Sequence, residues 1–279
     1  MEEAELEKKW TFDSDVTQGY TKVRQAFAQE FLKDVRQQME LATALDVGCG
    51  VGYFSKFLSD MGFRVVAVDG REENAAEARR RYPEITFLTE NVEDVSLRDI
   101  GTVDLVLSVG LLYHLENPFR AIRNFHALTG KLLLVESMCI PGDEAGLQLL
   151  DEALADNQGL NYVAFYPTES CLVKMLYRAG FPFVYRFQRL PDDEQFTTTP
   201  RRKRSRTFLA ASKVALKAPN LVLAEEPIHS TSDPWTTKLS STRIFWTMSI
   251  FRLQGFVARL VKPLRRSVNP ASSSDSQAE

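Results

Sequence analysis

The sequence predicts an α/β fold: a doubly wound, mostly parallel, seven-stranded sheet with helices at the N-terminus, an insertion after the fifth strand and a helical tail. Three observations predict it. Short apolar runs alternate with amphipathic stretches from Ala44 to Ala210. The runs are continuously apolar rather than alternating, as in strands covered on both faces. A glycine-rich turn, Gly48-Cys49-Gly50-Val51-Gly52, follows the first run directly, where a parallel strand turns into its crossover helix.

Taken in order, Tyr20, Val23, Phe27, Phe31, Val35 and Met39 recur at steps of three and four. They mark an amphipathic helix in an N-terminal cap over residues 1–40. Ala44–Val47, Val65–Val68, Ile85–Leu88, Val103–Leu107 and Leu132–Val135 read as the first five strands. Helices fall at Tyr53–Leu58, closed by Gly62, and at Glu72–Arg81, which has acids at its start, arginines at its end and Pro83 beyond. Two more are expected near Phe119–Leu128 and over Thr168–Arg178. Val184–Phe187 and Thr207–Ala210 complete the sheet, joined by a loop and therefore able to pair antiparallel. The domain so drawn covers 41–212, with an insertion on the substrate side at 139–166. A tail over 213–270 and nine disordered residues, 271–279, follow.

Composition removes several function classes. A formal charge of −3 on 279 residues does not describe a polyanion binder. Cys49, Cys139 and Cys171 have spacings that fit neither a disulfide framework nor a zinc motif, so no metal is expected and a reducing cytoplasm is the natural compartment. The acidic Met1–Lys9 is no signal peptide, and no run of about 18 apolar residues is available to span a bilayer. The charge is uneven, however. Pro234–Ala271 holds seven basic residues and no acid. Over 241–266, Arg252, Arg259, Lys262 and Arg266 form a narrow stripe beside a wide apolar face with Trp246 near its start. Such a helix suits peripheral contact with an anionic membrane, or equally packing on the domain or a second subunit.

The turn itself separates two ligand classes. A dinucleotide fingerprint, G-x-G-x-x-G, requires glycine at position 53, which is Tyr53. Instead glycines occupy every second position, with Asp46 two residues before the first. This pattern suits a ligand with an amino-acid moiety, whose ammonium Asp46 can meet. Asp69, at the tip of the second strand, can accept hydrogen bonds from two ribose hydroxyls. Asn91, after the third strand, offers an amide oxygen to an adenine amine. Past the fourth strand, Gly110-Leu111-Leu112-Tyr113-His114-Leu115 carries His114, whose side-chain type suits a general base, and Tyr113, which can position a reactant. A plainer role for His114 is to orient its loop. His126 and His229 read as structural.

Leu45–Gly52, Asp69, Asn91–Val95 and Val103–His114 together resemble the successive motifs of class I, Rossmann-like methyltransferases dependent on S-adenosylmethionine. The resemblance covers residues 40–212. It implies that Gly48, Gly50 and Gly52 face the methionine part, Asp69 the ribose, and Asn91 with Val92 the adenine. Cys49, Gly70 and Ser108 complete the implied cofactor set. The family commonly has aspartate where Asn91 stands.

A narrower likeness covers Gly110–Pro118, Pro141-Gly142-Asp143, Asn161–Gly180 and Arg206–Ala211, which resemble the tRNA wobble-uridine carboxymethyltransferase group. That group uses a carboxylated S-adenosylmethionine, and the resemblance implies that Tyr113 and Arg206 would meet its carboxylate. Leu115, where the tRNA enzyme has a basic residue, and the short acidic N-terminus depart from that pattern. Arg201–Arg206 reads as a solvated loop balanced by Asp192, Asp193 and Glu194, ahead of a grip on nucleic-acid phosphates. The expected function is therefore methyl transfer to a small-molecule acceptor in the cytoplasm. Wobble-uridine modification stands second, and a non-catalytic adenosyl-ligand-binding or membrane-docked regulator third.

Overall fold

The structure is a computed structural model that describes residues 10–199 and 204–227. Ten strands and five α-helices occupy them. The strands are β1 (Thr43–Val47), β2 (Arg64–Asp69), β3 (Thr86–Thr89), β4 (Val103–Val109), β5 (Thr129–Cys139), β6 (Leu147–Asp151), β7 (Val163–Pro167), β8 (Phe183–Phe187), β9 (Ser205–Ser212) and β10 (Leu221–Leu223). The helices are α1 (Asp15–Arg36), α2 (Tyr53–Asp60), α3 (Glu72–Arg81), α4 (Pro118–Leu128) and α5 (Glu169–Ala179). Local chemistry sets several boundaries. Ser14 caps α1 by accepting from the Thr17 amide, Thr168 caps α5 by accepting from that of Cys171, and Gly180 ends α5 at φ +115°.

The main sheet runs β10-β8-β9-β5-β4-β1-β2-β3. β1 to β5 pair parallel; β9 joins β5 antiparallel, and β8 joins β9 antiparallel. β1 lies between β2 and β4, so successive connections leave it in opposite directions. At such a switch point a crevice opens beyond the carboxyl ends of the strands.

Both faces of the sheet are covered. Along β4, Leu105 and Leu107 enter one core with Ala28, Phe31, Leu32 and Val35 of α1. Val106 faces the other, with Ile122 and Phe125 of α4 and Leu172 and Leu176 of α5. Leu132 and Leu134 against Leu133 and Val135 repeat the alternation in β5. An apolar-on-both-sides strand thus reads as an unbroken hydrophobic run in sequence.

Two boundaries differ from the sequence reading. The main sheet has eight strands, because Leu221–Leu223 pairs antiparallel with β8 and covers an edge that would otherwise stay open. The compact unit therefore runs past Ser212 to Pro227, with Leu216 and Ala224 buried. The insertion also has its own structure, the antiparallel pair β6–β7. The segment 241–266, His229 and Arg201–Lys203 lie outside the described residues. Among the described residues no helix is long and apolar enough to cross a membrane.

Candidate active site

A cavity of about 430 Å³ opens at the switch point. The tips of β1 to β4 line it through Gly48–Gly50, Asp69–Gly70, Asn91–Val92 and Val109–Leu111, and Tyr113 and His114 continue the wall. Phe12, Tyr20 and Arg24 close it from the N-terminal side, and residues 156–160 and Tyr166 from the insertion.

The glycine turn is shaped by close approach. Gly48 and Gly50 sit at φ +72° and +54°, and a Cβ on either would lie 2.7 Å from Leu111 or Phe12. Any side chain there meets both backbone strain and a clash. Asp69 holds the turn in place. It is buried and accepts from the Gly50 amide at 2.8 Å, the Arg71 amide at 2.9 Å and Asn74 Nδ2 at 3.1 Å. Burial raises its carboxyl pKa, and these donors oppose that rise.

Several residues expected at the ligand do not face it. Asp46 points behind the turn, 2% exposed, where it accepts from Ser55 Oγ at 2.7 Å. It does not line the cavity. Burial first, and the charge of Asp69 second, push its carboxyl up to about 7, against the Ser55 hydrogen bond. Gly52 backs onto Tyr82, at the end of α3, and Phe87 of β3 instead of the cavity. Ser108 is fully buried within β4, off the cavity wall. Asn91 does line the cavity, but its Oδ1 accepts from the Glu93 amide at 3.0 Å, so the oxygen expected to face a ligand is partly engaged by its own turn. Cys49 lines the cavity with a thiol that burial, beside Asp46 and Asp69, pushes well up. It is a poor nucleophile there.

At the cavity floor the structure brings Tyr113 and Arg206 together across 93 residues of sequence: Arg206 Nη2 donates to the Tyr113 hydroxyl at 3.2 Å. Glu136 of β5, fully buried, accepts from Arg206 Nη1 at 2.8 Å and lies 3.6 Å from Arg24 Nη1. Two guanidiniums therefore share one carboxylate, a net charge of +1. Burial works against the charge on Arg206, but Glu136 and Tyr113 outweigh it and hold this group above the ordinary arginine value. Arg24 falls below that value, through burial and the charge of Arg206, because its contact with Glu136 is longer.

Sequence reasoning missed Arg24, Glu136, Asn74 and Glu152. Two of them left a signal. Glu136 is the lone acid in a strand otherwise apolar over Leu132–Val135, and Arg24 interrupts the apolar face between Tyr20 and Phe27. Glu152 left none. It comes from the insertion, and its Oε1 lies 2.5 Å from His114 Nδ1.

The donor and acceptor set fits an adenosyl amino acid. Asn74 Oδ1 and Arg206 Nε, both on cavity-lining residues, are buried without a hydrogen-bond partner among the described residues. A bound ligand or an ordered water would supply the partners these atoms lack. The glycine turn leaves its backbone bare at the cavity wall, since Leu111 and Phe12 fill the space a Cβ would need. Among the described residues no cluster of His, Cys, Asp and Glu is arranged to hold a metal ion.

Fold and cavity together resemble those of the class I, Rossmann-like methyltransferases. The methyltransferase domain family model matches residues 45–131. Among curated proteins the chain is similar to the tRNA U34 carboxymethyltransferase of Tolumonas auensis, 28% identical over 168 residues, covering 57% of this chain and 49% of that protein. It is also similar to the ubiquinone biosynthesis O-methyltransferase of Xanthomonas euvesicatoria pv. vesicatoria, 33% identical over 140 residues, covering 47% and 57%. The chain thus spans about half the length of these relatives. Among solved structures, the N-terminal domain of EvdMO1 with SAH bound superposes with a TM-score of 0.57 at 17% identity, over 67% of this chain and 80% of that one. At that identity the likeness is one of fold.

Proposed function

We propose that this protein binds S-adenosylmethionine at the tips of β1 to β4 and transfers its methyl group to a small-molecule acceptor. The observation that carries the reading is Asp69, buried at the cavity wall and clamped by three donors from the glycine turn and the start of α3. Gly48–Gly50 would hold the amino-acid part, Asp69 the ribose, and Asn91 with Val92 the base. When bound, S-adenosylmethionine supplies an electrophilic methyl group whose leaving group is already activated. The chain then has three tasks: to align the acceptor, to exclude water and to take a proton where the acceptor carries one. His114 is the residue for the last task. The family match and the superposition on a domain solved with SAH bound support this reading.

Isothermal calorimetry with S-adenosylmethionine tests it. The wild type binds, and Asp69→Ala loses about 1–3 kcal/mol, the cost of removing a buried hydrogen-bonding partner. Equal affinity in both proteins rejects the ribose role, and absence of binding in the wild type rejects the reading.

A second reading concerns the donor. The cation pair at the floor, with the Tyr113 hydroxyl beside it, favours an anionic group, as a carboxylated S-adenosylmethionine would present. The similarity to a protein named as a carboxymethyltransferase supports it. Competition between the two cofactors decides: tighter binding of the carboxylated form upholds this reading, and equal binding leaves the plain cofactor.

A further inference from the structure

His114 is joined to the insertion by more than one tie. Its Nδ1 lies 2.5 Å from Glu152 Oε1, and Glu152 Oε2 accepts from the Gly159 amide at 2.8 Å. The Glu152 side chain is 4% exposed and that of His114 12%. Gly159 packs so closely that a Cβ on it would lie 2.4 Å from the His114 carbonyl oxygen. Both carboxylate oxygens are thus used as acceptors, and both partners are fixed by packing. His114 lines the cavity, and among the described residues none hydrogen-bonds its Nε2.

We propose that Glu152 is the positioning residue that makes His114 a base, and that the acceptor accordingly carries a dissociable proton on oxygen or nitrogen. The inference rests on the transferase reading above and narrows its acceptor class. A carboxylate only accepts, so the proton of the neutral imidazole sits on Nδ1 and the lone pair on Nε2. The acceptor hydroxyl or amine gives its proton to Nε2 and its electron pair to the methyl carbon, whose former bonding pair stays on sulfur. Positive charge thus passes from sulfonium to imidazolium, where the Glu152 carboxylate stabilises it, and Nδ1–H is never transferred. A carbon acceptor without such a proton would make no use of this pair.

The proposal is tested with Glu152→Gln in the full chain. Glutamine offers one acceptor and one donor where Glu152 offers two acceptors. The Gly159 amide claims the oxygen, so the amide NH₂ faces Nδ1 and the histidine proton moves to Nε2. Ring-nitrogen NMR should show the Nδ1–H form of His114 in the wild type and the Nε2–H form in the variant. The three histidines are assigned by replacing His126 and His229. Carbethoxylation of His114 by diethyl pyrocarbonate, read by peptide mass spectrometry, should slow by on the order of tenfold. Affinity for S-adenosylmethionine should stay within about threefold, less than the loss of one hydrogen bond. A merely structural Glu152 would leave tautomer and acylation rate unchanged, and that result overturns the proposal. So does an Nε2–H form in the wild type. A wild type that shows the inverted tautomer on substitution but binds no S-adenosylmethionine rejects the transferase reading instead, and leaves the pair as a proton-accepting centre.

Discussion

The two walls of the cavity are built by different means. One wall consists of strand tips, each placed by its neighbour in a parallel ladder: Val47 pairs with Val68 and with Ser108, and Asp69 with Thr89. The opposite wall, residues 152–162 between β6 and β7, is held by a few polar ties to distant parts of the chain. Arg71 donates to the Gly159 carbonyl at 2.8 Å, Asn74 to that of Asp156 at 3.2 Å, and the Thr11 amide to the Asp156 carboxylate at 2.9 Å. Its large apolar residues are little buried: Leu154 and Tyr162 are exposed, and Leu160, also exposed, reaches the cavity beside Gly70. A wall with little apolar burial, held by a few partly exposed hydrogen bonds, belongs to the low-stability end of a protein. The strand-tip wall is fixed by the sheet, whereas the 152–162 wall rests on polar ties and is expected to open at lower cost.

The largest effect is expected where both walls meet the floor. Glu136→Leu removes the one carboxylate that, among the described residues, lies between Arg24 and Arg206, and leaves two buried guanidiniums without it. Unfolding in urea should show a loss of about 3–5 kcal/mol. A loss below about 1 kcal/mol would mean that the cations relax into water, and that the floor is as loosely held as the 152–162 wall.

Asp46 probes the strand-tip wall through pH. Its folded carboxyl stands at about 7 against an ordinary 3.8, chiefly through burial. Between these values the native state holds a proton that the unfolded state has released. Stability therefore falls as pH rises from about 4 to 7, by up to about 1.4 kcal/mol per unit, and levels off above. Asp46→Asn carries no such charge, so its melting temperature should depend less on pH over that window and exceed the wild type's most at pH 8. Parallel curves for the two proteins would remove the buried charge as a determinant of the turn.

The smallest global effect is expected for Arg71→Ala, which cuts the ties to the Gln158 and Gly159 carbonyls. The unfolding free energy should change by less than about 1 kcal/mol. Hydrogen exchange at the Gly159 amide should nevertheless quicken by on the order of tenfold, while core amides of β4 stay as protected as before. Equal acceleration in β4 would show that the two walls open together and abolish the contrast.

The sequence by itself determined the sheet, its parallel run and the glycine turn, because these are encoded locally. Buried strands of a covered sheet need unbroken apolar runs, and the Gly48 and Gly50 turn needs residues without a Cβ. Asp69, Tyr113 and His114 were legible as positions lining the cavity for the same reason: they stand at strand tips or just beyond them. Direction was not legible. Asp46 and Ser108 sit on such strands but face away from the cavity, since period two sends neighbouring side chains to opposite sides. Nor was partnership between distant residues. Glu136 meets Arg206 because β9 returns antiparallel to β5, and Glu152 meets His114 because the β6–β7 pair folds back over the fourth strand's loop. Pairs 70 and 38 residues apart leave no local periodicity to read. The edge strand Leu221–Leu223 is the same case in backbone form. Three residues carry too weak a pattern to declare a strand, and only the open edge of β8 gives their amides and carbonyls a reason to pair.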